Sequence, residues 1–137
     1  MSQELRLTYY GQIKAKKNSK QIGYNARTGK PFIRSSDAAK GQELLIVARF
    51  REEYHESEIR HDIFEEAPAY KVEIDIYNQD RHRHDLDNQM ATIMDALVRA
   101  GVIRDDNQEV VPEVIARYKG IDKCDPRAEI TITTIRR

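Results

Sequence analysis

The sequence predicts a small single α+β domain, residues 1–137, in which a mixed β-sheet of about four strands packs against two main helices. Three observations predict it. Several segments alternate apolar with polar residues, two others place apolar residues at three- and four-residue intervals, and 137 residues suffice for one core but are too few for two ordinary domains.

Leu5, Leu7 and Tyr9 alternate with Arg6, Thr8 and Tyr10, which predicts a first strand running to about Lys14. Lys16 to Arg34 reads as a long loop, punctuated by Asn18-Ser19, Gly23, Asn25 and Gly29-Lys30-Pro31. It holds five Lys and Arg between Lys16 and Lys30, interleaved with Tyr24. Loops of this length in small domains are usually functional or disordered. Ser36 or Asp37 can cap a helix through about Tyr54, with Leu44, Leu45, Val47, Ala48 and Phe50 supplying its apolar side. From His55 to Tyr70 no period stands out. Lys71 to Tyr77 sets Val72, Ile74 and Ile76 against Glu73, Asp75 and Tyr77, a strand pattern. Leu86, Met90, Ile93, Met94 and Leu97 then form one stripe of a helix from about Leu86 to Ala100, while Gln89, Thr92, Asp95 and Arg99 lie elsewhere. Gly101 supplies its stop. Glu109 to Lys119, broken by Pro112, and Glu129 to Ile135 are two late strands joined by Gly120 to Pro126.

Formal net charge is zero, so the whole molecule offers no strong attraction to nucleic acid. Its distribution is uneven. Residues 1–40 carry nine Lys and Arg against Glu4 and Asp37, residues 41–80 carry four against eleven acids, and residues 81–137 balance ten against ten. A basic first third suits phosphate contacts that release counterions, though a soluble loop explains it equally well. The acidic stretch Glu52, Glu53, Glu56, Glu58, Asp62, Glu65 and Glu66 reads as a solvated face turned away from any such contact. No segment approaches the roughly twenty apolar residues that span a bilayer, and the start lacks an apolar signal core. Cys124 is alone, which excludes an intrachain disulfide and fits a reducing cytoplasm. No Walker-type glycine loop occurs, so no nucleotide cofactor is expected.

The chemistry concentrates around the second helix. Asp85 and Asp87 fall at its N-terminus, where unpaired amides and the helix dipole favour negative charge, and two capping acids are the simplest reading of them. Arg81, Arg83 and Asp105-Asp106 shift that reading toward a site for metal and phosphate. His82 and His84 in an alternating His/Arg loop are more simply phosphate-facing than metal-bound. For Asp106 to join Asp85 and Asp87 it must return along a helix roughly 21 Å long at about 1.5 Å per residue. The five steps from Gly101 cover at most roughly 17 Å. Either the segment doubles back, the helix is shorter, or a partner subunit supplies the residue.

The run Asp80-Arg81-His82-Arg83-His84-Asp85-Leu86-Asp87-Asn88, then Met94 to Gly101, then Asp105-Asp106-Asn107-Gln108, resembles the core of the RusA family of Holliday-junction resolvases. The likeness is strong from about Lys71 to Val111 and weaker at Lys16 to Lys20. Those enzymes are small dimeric endonucleases of bacteria and their phages and prophages. The resemblance implies catalytic, metal-binding carboxylates at Asp85, Asp87 and Asp106, holding Mg2+ with Mn2+ as a substitute. It also implies a homodimer acting on four-way junctions in DNA recombination and repair. Lys14, Lys16, Lys17, Lys20, Arg81, Arg83 and His84 are the expected DNA contacts. The family pattern often carries a Lys four residues after the second Asp of the pair, where this chain has Ala91. Either another base such as Lys16, Lys17 or Lys20 takes that role, or the protein is a weak or inactive relative that grips branched DNA. A divalent cation that only stabilises structure is a third reading of the acids.

Overall fold

In the computed structural model, residues 2–14, 20–24, 26–35 and 37–136 are described, with backbone alone for 20–24 and 31–40. The chain runs β1 (Glu4–Tyr10), β2 (Lys20–Tyr24), β3 (Pro31–Ser35), α1 (Asp37–Glu56), α2 (His61–Glu65), β4 (Ala69–Asn78), α3 (Leu86–Arg99), β5 (Glu113–Ile121) and β6 (Arg127–Ile135). Four strands form one sheet in the order β1-β6-β4-β5. β6 is antiparallel to both β1 and β4, while β4 and β5 are parallel. The sheet is therefore mixed, and the class is α+β as expected.

Strand alternation fixes which face is buried. Leu5 and Leu7 of β1, Val72, Ile74 and Ile76 of β4, and Ala128, Ile130 and Ile132 of β6 are all buried, with polar residues between them. Each fully buried Leu or Ile contributes roughly 1.5–3 kcal/mol of transfer free energy. Against this face α1 sets Ile46, Phe50 and Tyr54, and α3 sets Ile93, Ala96 and Leu97. On the other face ions pair across strands: Arg117 of β5 bridges Glu73 and Asp75 of β4 at 2.8 and 3.1 Å.

Several boundaries and faces differ from expectation. The long loop contains an antiparallel hairpin, β2 with β3, in which Gln21↔Arg34, Ile22↔Ile33 and Gly23↔Phe32 pair. Its turn residues hid two short runs of β-formers. β1 ends at Tyr10, because Gly11 turns the chain at φ 140°. The strand expected from Glu109 starts only at Glu113, since Asn107 to Val110 form a turn held by Asn107 Oδ1 and Pro112 cannot donate to a ladder. The buried face of α1 is Ile46, Phe50 and Tyr54, whereas Leu44 and Leu45 are 70% and 63% exposed. The i, i+4, i+8 series follows the helical period more closely than the expected apolar side did.

α3 closes as expected. Gly101 takes φ 77°, Gly101 N–H donates to Val98 O and Val102 N–H donates to Leu97 O, both at 3.0 Å. This is a Schellman closure, and Val102 and Leu97, the positions that commonly meet in that motif, are both buried in the core. A Cβ on Gly101 would meet nothing within 4 Å. Gly101→Ala is thus expected to cost about 1–2 kcal/mol, all of it conformational. Equilibrium urea unfolding checks this, and a loss beyond about 3 kcal/mol would mean that packing also changed.

Candidate metal and nucleic-acid site

The crossover from β4 through α3 to β5 decides where the acids lie. β4 delivers the chain to α3 at the Asn78 end of the sheet. α3 then runs back, and β5 restarts beside Lys71 at the other end. Asp85 is the N-cap of α3 and Asp87 sits in its first turn. Asp106 follows the far end of that helix, in a segment pinned by Arg104, which donates to Ala67 O and Pro68 O at 2.9 and 2.8 Å. The two acidic groups of one chain therefore stand at opposite ends of the β4–α3–β5 unit. Among the described residues no three His, Cys, Asp or Glu side chains come together as a metal site.

Each acid has a distinct local role. Asp85 occupies the N-cap in extended conformation, and its carbonyl accepts from Asn88 and Gln89, yet its carboxylate makes no capping hydrogen bond. That side chain instead lies 3.4 Å from Arg83 Nε. Asp87 is exposed, its Oδ1 accepting from Asn88 N–H at 2.9 Å. Asp105 organises its turn by accepting from Asp106 N–H and Asn107 Nδ2, which hold its carboxyl below the usual range. Asp106 is exposed, and its own carboxylate is in neither of those bonds.

Beside Asp85 opens a cleft of about 300 Å³, lined by Asn78, residues 80–84, Leu86, Gln89, Tyr118 and Ile121. It lies at the carboxyl ends of the parallel strands β4 and β5, where α/β crossovers commonly hold ligands. Arg83 and His82 are largely exposed there, their side chains 90% and 86% accessible. Asp80 shapes the loop: it accepts from His82 N–H at 3.0 Å and contacts His82 Nδ1 at 2.9 Å. Hydrogen bonding from His82 is the main reason its carboxyl is held below the ordinary aspartate range. His84 Nε2 lies 3.5 Å from Asp80 Oδ1, at the limit of hydrogen bonding, and has no better partner among the described residues.

Of the expected DNA contacts, Arg81, Arg83 and His84 line this cleft. Lys14 is exposed next to α3, its carbonyl accepting from Thr92 Oγ1 at 3.2 Å. Lys16 and Lys17 lie outside the described residues, and Lys20 begins β2. The acidic stretch runs from the C-terminal half of α1, through Glu58 in the connection, to α2 and its C-cap Glu66. Most of it is exposed, but Glu53 folds against β1 and accepts from Thr8 N–H at 3.1 Å. Burial there raises its carboxyl above the ordinary range.

Sequence reasoning missed the buried amides. Gln89 and Thr92 were expected off the core stripe, yet they are 1% and 7% exposed. Asn78 is buried too, and its Oδ1 accepts from Gln12 Nε2 at 2.8 Å and from Gln89 Nε2 at 2.9 Å. One signal was readable: Asn78 continues the core-facing series Val72, Ile74, Ile76, and a polar residue at such a position needs a partner.

Two carboxylates at a helix start stand beside an arginine-lined cleft, a pairing of hard oxygen donors with cations whose chemistry suits phosphate and divalent ions. Residues 46–133 match the family model of endodeoxyribonuclease RusA, and the chain belongs to that family. Nuclease activity is the family's property, and the match begins within α1, so Lys14 and the β2–β3 hairpin lie outside it. No curated protein matches the chain. No helix among the described residues is long and apolar enough to cross a membrane.

Proposed function

We propose that this protein is a Mg2+-dependent, structure-specific endodeoxyribonuclease that resolves four-way DNA junctions by paired phosphodiester hydrolysis. It would serve DNA recombination and repair in the cytoplasm of a bacterial or phage-infected cell. The observation that carries the reading is the Asp85 carboxylate, which stands at a helix N-terminus without capping it and lies 3.4 Å from Arg83 of the adjoining cationic cleft, in a chain of an endodeoxyribonuclease family.

The donor set fits the ion. Mg2+ prefers oxygen, needs only one or two carboxylates and keeps waters for substrate phosphate to replace, which Asp85 and Asp87 can satisfy; Mn2+ suits the same donors. Such an ion would supply polarisation of the scissile phosphate and a lowered pKa for the attacking water. Arg81, Arg83 and His84 bind phosphate oxygens along the cleft, and Lys14, Lys16, Lys17 and Lys20 extend the backbone contacts. Because Asp106 stands at the other end of its own crossover, its place in the site is filled by Asp106 of the partner subunit. A two-fold dimer then holds two such sites against opposed strands.

A second reading, a branched-DNA-binding protein that cuts weakly or not at all, is favoured by one feature. α3 carries no Lys or Arg before Arg99, and Ala91 is exposed one turn beyond Asp87. Incubating the protein with a synthetic four-way junction and with linear duplex, in Mg2+ and in EDTA, separates the two. Cleavage of the junction alone, in Mg2+ alone, is the expected result; tight retention without nicks supports the second reading. Neutralising Lys16, Lys17 and Lys20 together is expected to weaken binding and to reduce the slope of log affinity against log salt by up to about 3. An unchanged slope would make those lysines bystanders.

A further inference from the structure

The segment that leads into the lysine-rich stretch is held unusually firmly for an exposed connection. Ile13 is 1% exposed, and its carbonyl accepts from Gln89 Nε2 at 3.0 Å and from Gln12 Nε2 at 3.1 Å. Gln12 Oε1 accepts from Gln79 N–H at 2.6 Å, just beyond the end of β4. Gln42 of α1 closes the ring: its Nε2 donates to Gln12 O at 2.5 Å, and its Oε1 accepts from Lys14 N–H at 2.8 Å. On the other side Thr92 Oγ1 donates to Lys14 O at 3.2 Å and also lies 3.1 Å from Asn88 O. Both backbone polar groups of Lys14 are thus fixed, while its side chain stays exposed. Buried amides left without a partner are costly, so a hub this well satisfied specifies one arrangement.

The hub touches α3 at Gln89 and Thr92, within the first two turns after Asp87. Those turns concentrate negative charge and carry no cation of their own, since α3 has no Lys or Arg before Arg99. An incoming phosphate adds more negative charge. Arg81 and Arg83 answer it from the cleft, and among the described residues Lys14 is a lysine whose backbone the fold locks to α3.

We propose that the ring of Gln12, Asn78, Gln89, Gln42 and Thr92 is a positioning device that holds Lys14 against the first turns of α3, where its ammonium meets the DNA phosphate beside Asp85 and Asp87. The inference rests on the nuclease reading and adds to it a specific cation and the residues that aim it. A lysine on a flexible four-carbon stem loses much entropy on binding unless its base is fixed, and fixing the base is what the ring accomplishes.

The test compares Lys14→Ala, Gln42→Ala, Thr92→Val and the double variants Lys14→Ala/Gln42→Ala and Lys14→Ala/Thr92→Val for junction affinity across salt concentrations, with thermal unfolding as a control. Thr92→Val keeps the shape of the side chain and removes its hydroxyl. Lys14→Ala is expected to lower the salt slope by about 1. Gln42→Ala and Thr92→Val should each lower it in part, and neither should add to the loss once Lys14 is gone. Lys14→Arg, which keeps the charge, should restore the slope. Additive losses, or a slope left intact by both ring variants while they remain folded, overturn the positioning role. Junction cleavage by the unmodified chain is read in the same samples. A chain that binds no junction overturns the nuclease reading with it, whereas cleavage with additive losses overturns the positioning role alone.

Discussion

Asp87→Asn is expected to lose junction cleavage by about 100- to 1000-fold, the range seen when one group stabilising developing charge is removed, while junction affinity is retained or rises. The substitution keeps shape and removes one negative charge from the first turn of α3. On the proposed reading, that charge is the one a divalent ion would use and the one that would repel DNA. Binding and cleavage should therefore move in opposite directions. Single-turnover cleavage of a synthetic junction and a gel-shift titration in EDTA measure the two quantities separately. Stability should change little, because Asp87 is exposed and its one hydrogen bond is to the adjacent Asn88 N–H. If cleavage persists within a few-fold of the unmodified protein, Asp87 is no ligand and the acids at the helix start only tune its dipole.

The second large effect is a gain from two inactive proteins. Asp87→Asn and Asp106→Asn should each be inactive alone, yet a mixture allowed to exchange subunits should recover about a quarter of the unmodified activity for random pairing in a two-fold dimer. The reason is geometric. If each site joins Asp85 and Asp87 of one chain to Asp106 of the other, a mixed dimer concentrates both lesions in one site and leaves the other whole. Its product should be nicked on one strand, because only one of the paired sites works. If all three acids came from one chain, each site of the mixed dimer would carry one lesion and nothing would be recovered. The opposed placement of Asp85 and Asp106 along the β4–α3–β5 crossover is what makes the first outcome the expected one.

What could be read from the sequence follows from how local each signal is. α3 was legible almost to the residue because stripe, acidic start and glycine stop all agree, and its Schellman closure forms where Gly101 demanded it. β4 and β6 were legible because each alternates cleanly between a buried and an open face. The β2–β3 hairpin was not, since Gly23, Asn25 and Gly29 marked turns without revealing that the short runs between them pair. The face of α1 was misjudged because adjacent leucines attract attention that helical spacing gives instead to Ile46, Phe50 and Tyr54. Around the helix start, the placement of Asp85 at the N-cap and of the cationic loop before it was readable from spacing, and the reach argument already asked for an unusual path or a second chain if Asp106 was to join them. Gln12 and Gln42 were invisible because their meaning lies in contacts between distant segments: Gln12 is 66 positions from Asn78, and Gln42 is 30 from Gln12.

That ring of side chains has one more property. Its own donors and acceptors are amides, a hydroxyl and backbone groups, none of which gains or loses a proton across the range in which proteins work, and the Tyr9 phenol that hydrogen-bonds Gln42 is lifted further above that range by burial. A change of pH within that range therefore does not act on the ring's own hydrogen bonds, and what anchors the backbone of Lys14 is not itself a proton sensor.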